Sequence, residues 1–259
     1  MIGIGLNIGN RVIVSGGFDA DAQAFFNRVT AAGGTLTTTE KNATNQLVLD
    51  MKSAGIWSSM KAVYPMVGAS AAACAQNLKS SSFTGTFTSG WTFSSSGVNG
   101  NGINAYFDTN ILPTTQLSIS SAQISCYINS AVVSLGVAMG NNDLSCFLQP
   151  QSGTLYGSLA TTTFLSPLVT IDPAFYMVNR PSINSQKIIK NSTIVNTNTA
   201  TGVSYSAGQN IFVGAYSPST FNSSSRFALA SIGDGLTDTQ ASNFYTAVQA
   251  FQTTLSRQV

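Results

Sequence analysis

Between residues 122 and 149 the chain alternates in character. Ala122, Ile124, Cys126 and Ile128 are separated by Gln123, Ser125, Tyr127 and Asn129, while Leu144, Cys146 and Leu148 alternate with Asp143, Ser145, Phe147 and Gln149. Successive side chains of a strand point to opposite faces, so this period of two predicts strands in sheets with one buried face. Further candidates are FTGTF (83–87), INAYFDT (103–109), FYMVNR (175–180), SQKIIKN (185–191), STIVNTN (192–198), NIFVGAY (210–216) and RFALASIG (226–233), separated by Gly, Asn, Ser and Pro. Many short strands at this spacing argue for an antiparallel β-sandwich over parallel α/β units. In KIIKNSTIV (187–195) the Asn191-Ser192 pair predicts a tight hairpin turn, because Asn tolerates positive φ.

Helical periodicity occurs near the two ends. DADAQAFFNRVTAAGG (19–34) begins with a capping Asp19 and carries Phe25, Val29 and Ala32 on one face before Gly33 ends it. TLTTTEKNATNQLVLDMKSAGIW (35–57) has a capping box, Thr37 with Glu40, and a stripe of Ala43, Leu47, Met51 and Ala54. Gly55 is placed to end this helix, with Ile56 folding back on Met51. AVYPMVGASAAACAQNLK (62–79) follows as an apolar link in which Pro65 blocks a helix locally. GDGLTDTQASNFYTAVQAFQ (233–252) carries a second capping box, Thr237 with Gln240, and Phe244, Val248, Phe251 and Leu255 recur on one face. So apolar a stripe requires cover, and the outer faces and edges of a sandwich supply the place.

Residues 1–18 have Gly and Asn between β-branched patches, IGIGLNIG and RVIVSGG, with no helical period. This composition suits a strand added to a neighbouring subunit's sheet edge, or to the chain's own sandwich. The expected organisation is an N-terminal docking arm (1–18), a helical lead-in (19–80) and a sandwich with its C-terminal helix (81–259).

Composition narrows the function. The 259 residues are 43% hydrophobic, enough for a sizeable core, but only 8% charged, which leaves the surface to Ser, Thr, Asn and Gln. Eleven scattered Lys and Arg, with a net charge of +2, make neither a stripe for nucleic acid nor a polybasic membrane patch. The opening residues lack the pattern of a signal peptide and no later segment approaches a membrane span, so synthesis and folding in a cytoplasm are expected. Three cysteines without a CxxC pair indicate neither a disulfide framework nor a zinc site; Cys126 and Cys146 fall at inward positions as packed thiols. There is no histidine, which excludes Ser-His-Asp and Cys-His catalysis and His-ligated metals. Glu40 is the only glutamate, and it lies in a predicted helix, badly placed to pair with one of the eight aspartates as in a glycosidase. Asp19, Asp21, Asp234 and Asp238 fall at or before helix starts, where capping and the helix dipole account for them. Asn141, Asn142 and Asp143 read as a polar turn.

WTFSSSGVNGNGINAYFDTNILP (91–113), the KIIKNSTIV hairpin, NIFVGAY and above all RFALASIGDGLTDTQASNFYTAVQAFQTTLSRQV (226–259) resemble the concanavalin A-like, or laminin-G-like, jelly-roll domains of tailed-bacteriophage virion proteins. The lead-in from Phe18 to Gly68 is similar to phage structural proteins carrying this domain, so the resemblance covers all but the first 17 residues. The family's hairpin usually has Asn-Gly where this chain has Asn191-Ser192. The resemblance implies a mainly β fold, an antiparallel jelly-roll sandwich with an N-terminal helical segment and a C-terminal packing helix. Related sandwiches that hydrolyse β-glucans carry closely spaced Glu and Asp on one strand, a pattern missing here.

The function expected on these grounds is that of a non-enzymatic virion structural protein, in capsid, head fibre or tail, without cofactors or metal. It would be localised to the virion, contact other virion proteins through the N-terminal arm, form a homo-oligomer, and neither bind nucleic acid nor insert into a membrane. The alternative is a module recognising a host surface glycan. Sugar recognition combines an aromatic platform with amide groups, and Tyr205, Tyr216, Phe221 and Asn222 are the candidate residues, on neighbouring loops.

Overall fold

A computed structural model describes residues 17–131, 136–151, 153–206, 208–218 and 220–259. The docking arm expected over residues 1–18 lies, but for its last two residues, outside the described residues. Two helices come first, α1 (Ala20–Ala31) and α2 (Thr38–Ser53), then β1 (Met60–Tyr64), the short α3 (Ala71–Cys74), β2 (Thr86–Phe87), β3 (Thr92–Ser94), β4 (Gly97–Asn99) and β5 (Phe107–Asp108). After a second short helix, α4 (Pro113–Gln116), come β6 (Ala122–Ile128), β7 (Met139–Gly140), β8 (Cys146–Gln151), β9 (Thr154–Leu159), β10 (Ala174–Ser182), β11 (Ser185–Lys190) and β12 (Thr193–Asn198). The chain ends through β13 (Phe212–Val213), β14 (Arg226–Gly233) and α5 (Asp238–Thr254).

The strands form two antiparallel sheets. One has the order β12-β11-β10-β6-β14-β4-β3, with β1 also paired to β14; the other has the order β2-β5-β13-β7-β8-β9. Ile124, Cys126, Val178, Ile188 and Ile232 of the first sheet meet Phe107, Met139, Cys146, Leu148 and Val213 of the second in the sandwich core. The fold is the mainly β sandwich with flanking helices that the sequence predicts. All three cysteines are buried and unbridged, and burial raises each thiol's pKa, that of Cys74 to about 12.

Local chemistry sets the helix limits. Both capping boxes form, Thr37 with Glu40 and Thr237 with Gln240. Gly55 takes φ 67°, and the N–H of Ile56 donates to Met51 O at 2.9 Å while that of Gly55 donates to Lys52 O at 3.1 Å, which closes α2 as its sequence predicts. Asn191 takes φ 56° in the β11–β12 hairpin.

The first sheet's outer face carries a second core. Tyr127, Phe175, Met177, Ile189 and Leu229 of that sheet pack with Phe25 and Val29 of α1, Leu47 and Met51 of α2, and Phe244, Val248 and Phe251 of α5. One expectation is corrected here: β6 is buried on both faces, not one. Its polar positions stay satisfied beneath the helices, with the Ser125 and Ser231 hydroxyls 2.7 Å apart and the Gln123 amide donating to Ser231 Oγ at 3.1 Å. Residues 60–64, read from sequence as part of a helical lead-in and its apolar link, form β1 against β14. Buried Arg257 ties the lead-in to the sheet, donating to Pro65 O at 2.7 Å, Met66 O at 2.9 Å and Ala228 O at 2.9 Å.

Candidate functional site

The second sheet turns its other face outward. Along β8, Cys146 and Leu148 enter the core, so Phe147, Gln149 and Gln151 project to the opposite side. The register sets Ser158, Tyr156 and Thr154 of β9 opposite those three, and Gly140 of β7 opposite Phe147. A Cβ on Gly140 would stand 3.1 Å from Cδ2 of Tyr216 and 3.2 Å from Cγ1 of Val137. Glycine therefore lets the Tyr216 ring settle against the strand.

Loops raise walls around this floor. Leu144 precedes β8, Phe164 follows β9, and Tyr216 and Phe221 come after β13. The resulting groove has a volume of ≈ 240 Å³. Its rings meet edge to face: Phe147 lies 5.2 Å from Phe164 and 6.4 Å from Tyr216, and Tyr216 lies 6.3 Å from Phe221, with interplanar angles of 86°, 87° and 69°. Phe221, Leu144 and Phe164 are 53%, 50% and 38% exposed. Leu144, which alternation assigned to the core, precedes the first strand residue, so the strand's in-and-out rule does not reach it.

The walls are held by backbone bonds. The Asn142 N–H donates to Tyr216 O at 2.6 Å, the Val137 N–H to Phe221 O at 2.8 Å, and the Tyr216 N–H to Thr220 O at 3.2 Å. Asn142 and Phe221 take φ 61° and 53°, a conformation most side chains avoid. Asp143 anchors the same loops. Its carboxylate accepts from the Ser145 N–H at 2.9 Å, the Ser145 hydroxyl at 2.6 Å, the Ser206 N–H at 2.8 Å and the Ser206 hydroxyl at 3.0 Å. Burial opposes its charge, but these donors outweigh burial and hold the pKa at about 2. Burial, followed by the negative charge of Asp143, raises the pKa of the Tyr216 phenol.

Of the four residues singled out by sequence, the structure brings Tyr216 and Phe221 together in the groove. Tyr205 instead packs inside the sandwich, where burial raises its pKa. Asn222 donates its amide to Ala105 O at 3.1 Å. Sequence reasoning missed Phe147, Gln149, Gln151, Tyr156 and Phe164. Phe147 and Gln149 occupy the polar phase of a recognised alternation, which Gln151 continues to the end of β8; Tyr156 lies in TLYGSL (154–159), whose own alternation of Leu155, Gly157 and Leu159 marks a strand. Among the described residues no group of three His, Cys, Asp or Glu side chains could hold a metal ion, and no helix is long and apolar enough to cross a membrane. Aromatic walls beside two carboxamides and two phenols can receive an apolar surface and exchange hydrogen bonds with neutral polar groups.

No protein-family model and no curated protein sequence matches the chain. Solved structures do. Domain 4 of AbnA, a GH43 extracellular arabinanase from Geobacillus stearothermophilus, in complex with arabinotriose, is 13% identical with a TM-score of 0.51, over 72% of this chain and 98% of that one. A tryptophan-to-alanine mutant of HCR/D is 9% identical with a TM-score of 0.51, over 74% of this chain and 53% of that one, so the match spans about half of its length. The likeness is one of fold. A CBM40 from Ruminococcus gnavus IT-sialidase, bound to sialyllactose, aligns over 46% of this chain and 77% of its own at 14% identity and a TM-score of 0.34.

Proposed function

We propose that this protein is a non-enzymatic glycan-binding module and that the groove over β7, β8 and β9 is its binding site. The observation that carries this reading is the open aromatic groove itself, with Gln149, Gln151 and Tyr156 set among Phe147, Phe164, Tyr216 and Phe221. A sugar presents apolar C–H faces beside hydroxyls, and rigid rings flanked by carboxamides match both features at low cost in side-chain ordering. The solved domain sharing this fold over most of the chain was captured with arabinotriose. Among the described residues no carboxylate lines the groove, which favours binding over glycoside cleavage.

The resemblance of the lead-in and of residues 226–259 to phage structural proteins supports placing the module on a virion, as a capsid, head-fibre or tail component that meets the host surface. A glycan array probed with the wild type and with Tyr216→Ala tests the site. Selective binding by the wild type, lost in the variant while its melting temperature holds, is the expected result; equal binding by both would place recognition elsewhere.

A further inference from the structure

The groove also specifies which sugars it accepts. Ten of the eleven Lys and Arg fall among the described residues, Arg11 being the exception, and none of the ten lines the groove. Nine are engaged elsewhere. Lys52, Lys61, Lys187 and Lys190 pair with aspartates. Lys79 lies over the Trp57 ring and donates to Trp57 O at 2.8 Å. Arg28, Arg180 and Arg257 donate to backbone carbonyls, and Arg226 donates to the side-chain and backbone oxygens of Asn129. The tenth, Lys41, belongs to α2, whose apolar face packs in the second core on the other side of the molecule.

Among the described residues, the formal charge whose field reaches the groove is therefore negative. It belongs to Asp143, the anchor of the wall loops, and it acts on the Tyr216 ring. A carboxylated sugar would lose water from its own anion here, receive no guanidinium or ammonium in exchange, and face a like charge. A neutral sugar meets none of these costs, and its hydroxyls find the carboxamides of Gln149 and Gln151 and the phenols of Tyr156 and Tyr216.

Resting on the glycan-binding reading above, we infer that the groove selects neutral oligosaccharides and rejects those carrying a carboxylate, such as sialylated or uronic acid chains. Gln149 and Gln151 are the specificity-determining residues, because either position would hold a cation in a groove built for acidic sugars.

The test uses an array of neutral glycans printed beside their sialylated and uronic acid counterparts, followed by titration of the best neutral chain and its carboxylated partner. The wild type is expected to prefer the neutral member by at least about tenfold, a difference of about 1.4 kcal/mol. Gln151→Lys should narrow or invert that preference, and the narrowing should fade at high salt. If the wild type binds the carboxylated member as tightly or more tightly, the selectivity claim fails while glycan binding stands. If it binds no glycan of either kind, the glycan reading fails and the selectivity with it.

Discussion

The two sheets treat their outer faces in opposite ways. The first carries Tyr127, Phe175, Met177, Ile189 and Leu229 outward and covers them with α1, α2 and α5. The second carries Phe147 and Tyr156 outward and surrounds them with Leu144, Phe164, Tyr216 and Phe221, which leave a groove open to water. Similar residue types thus do different work according to what lies above them. On the covered face an aromatic ring stabilises the fold by leaving water. On the open face the rings of Phe164 and Phe221 remain partly hydrated, and a contiguous patch of that kind with polar groups at its edge marks a place where something else completes the burial.

The contrast can be broken most severely from the covered side. Phe244 is fully buried and sits edge to face against Phe175, with ring centroids 5.6 Å apart. Phe244→Ala removes most of a large side chain from a packed interface, so a loss of about 3–5 kcal/mol is expected in urea or guanidinium unfolding. A loss below about 1 kcal/mol would mean that α5 is not an integral layer of the fold.

The walls of the open face depend on a charge, which gives a smaller effect with a defined pH window. Asp143 has a pKa of about 2 in the folded protein against an ordinary value of 3.8. A depressed carboxyl pKa stabilises the native state above the unfolded pKa, and that stabilisation disappears as pH falls through the folded one. Wild type should therefore exceed Asp143→Asn by about 2 kcal/mol near neutral pH, with the gap closing between about pH 4 and pH 2. Paired chemical denaturation curves at pH 7 and pH 2.5 measure it. A gap that persists undiminished at pH 2.5 would assign the effect to packing of the loop and not to its charge.

The sequence displays the covered face more plainly than the open one, and the reason is physical. Amphipathic helices announce themselves through caps and a stripe: Thr37 with Glu40, Thr237 with Gln240, and Phe244, Val248 and Phe251 all sit where their spacing puts them. Strands with inward apolar residues are legible for the same reason. β1 was hidden because Pro65 follows it and its residues Ala62, Val63 and Tyr64 are buried without alternation. The burial of both faces of β6 was hidden because Gln123 and Ser125 are polar, and only the partner strand with Ser231 shows how they are satisfied. The groove is legible in part. Tyr216 and Phe221 lie near one another along the chain, but Phe147, Tyr156 and Phe164 join them only through strand register and loop return, which local spacing does not encode. Tyr205 misled for the converse reason: a ring on a polar segment looks available until the sandwich closes over it.

The finest test repeats the first substitution on the opposite face. Phe221 is 53% exposed, and its ring meets that of Tyr216 edge to face, 6.3 Å away between centroids. Its main chain, not its side chain, accepts the Val137 N–H that fixes the wall. Phe221→Ala should therefore change unfolding free energy by no more than about 0.5 kcal/mol, the range for surface substitutions that break no cap, cavity or buried hydrogen bond. Release of a non-glycine residue from positive φ does not offset this, because alanine inherits the same backbone strain. Affinity for whichever glycan the wild type selects should nevertheless fall by about tenfold or more, since a ring removed from a groove wall takes with it contact area that the free protein never used. A stability loss comparable to that of Phe244→Ala would show that Phe221 is a core residue in disguise, and would erase the difference between the two faces from which its role in binding is argued.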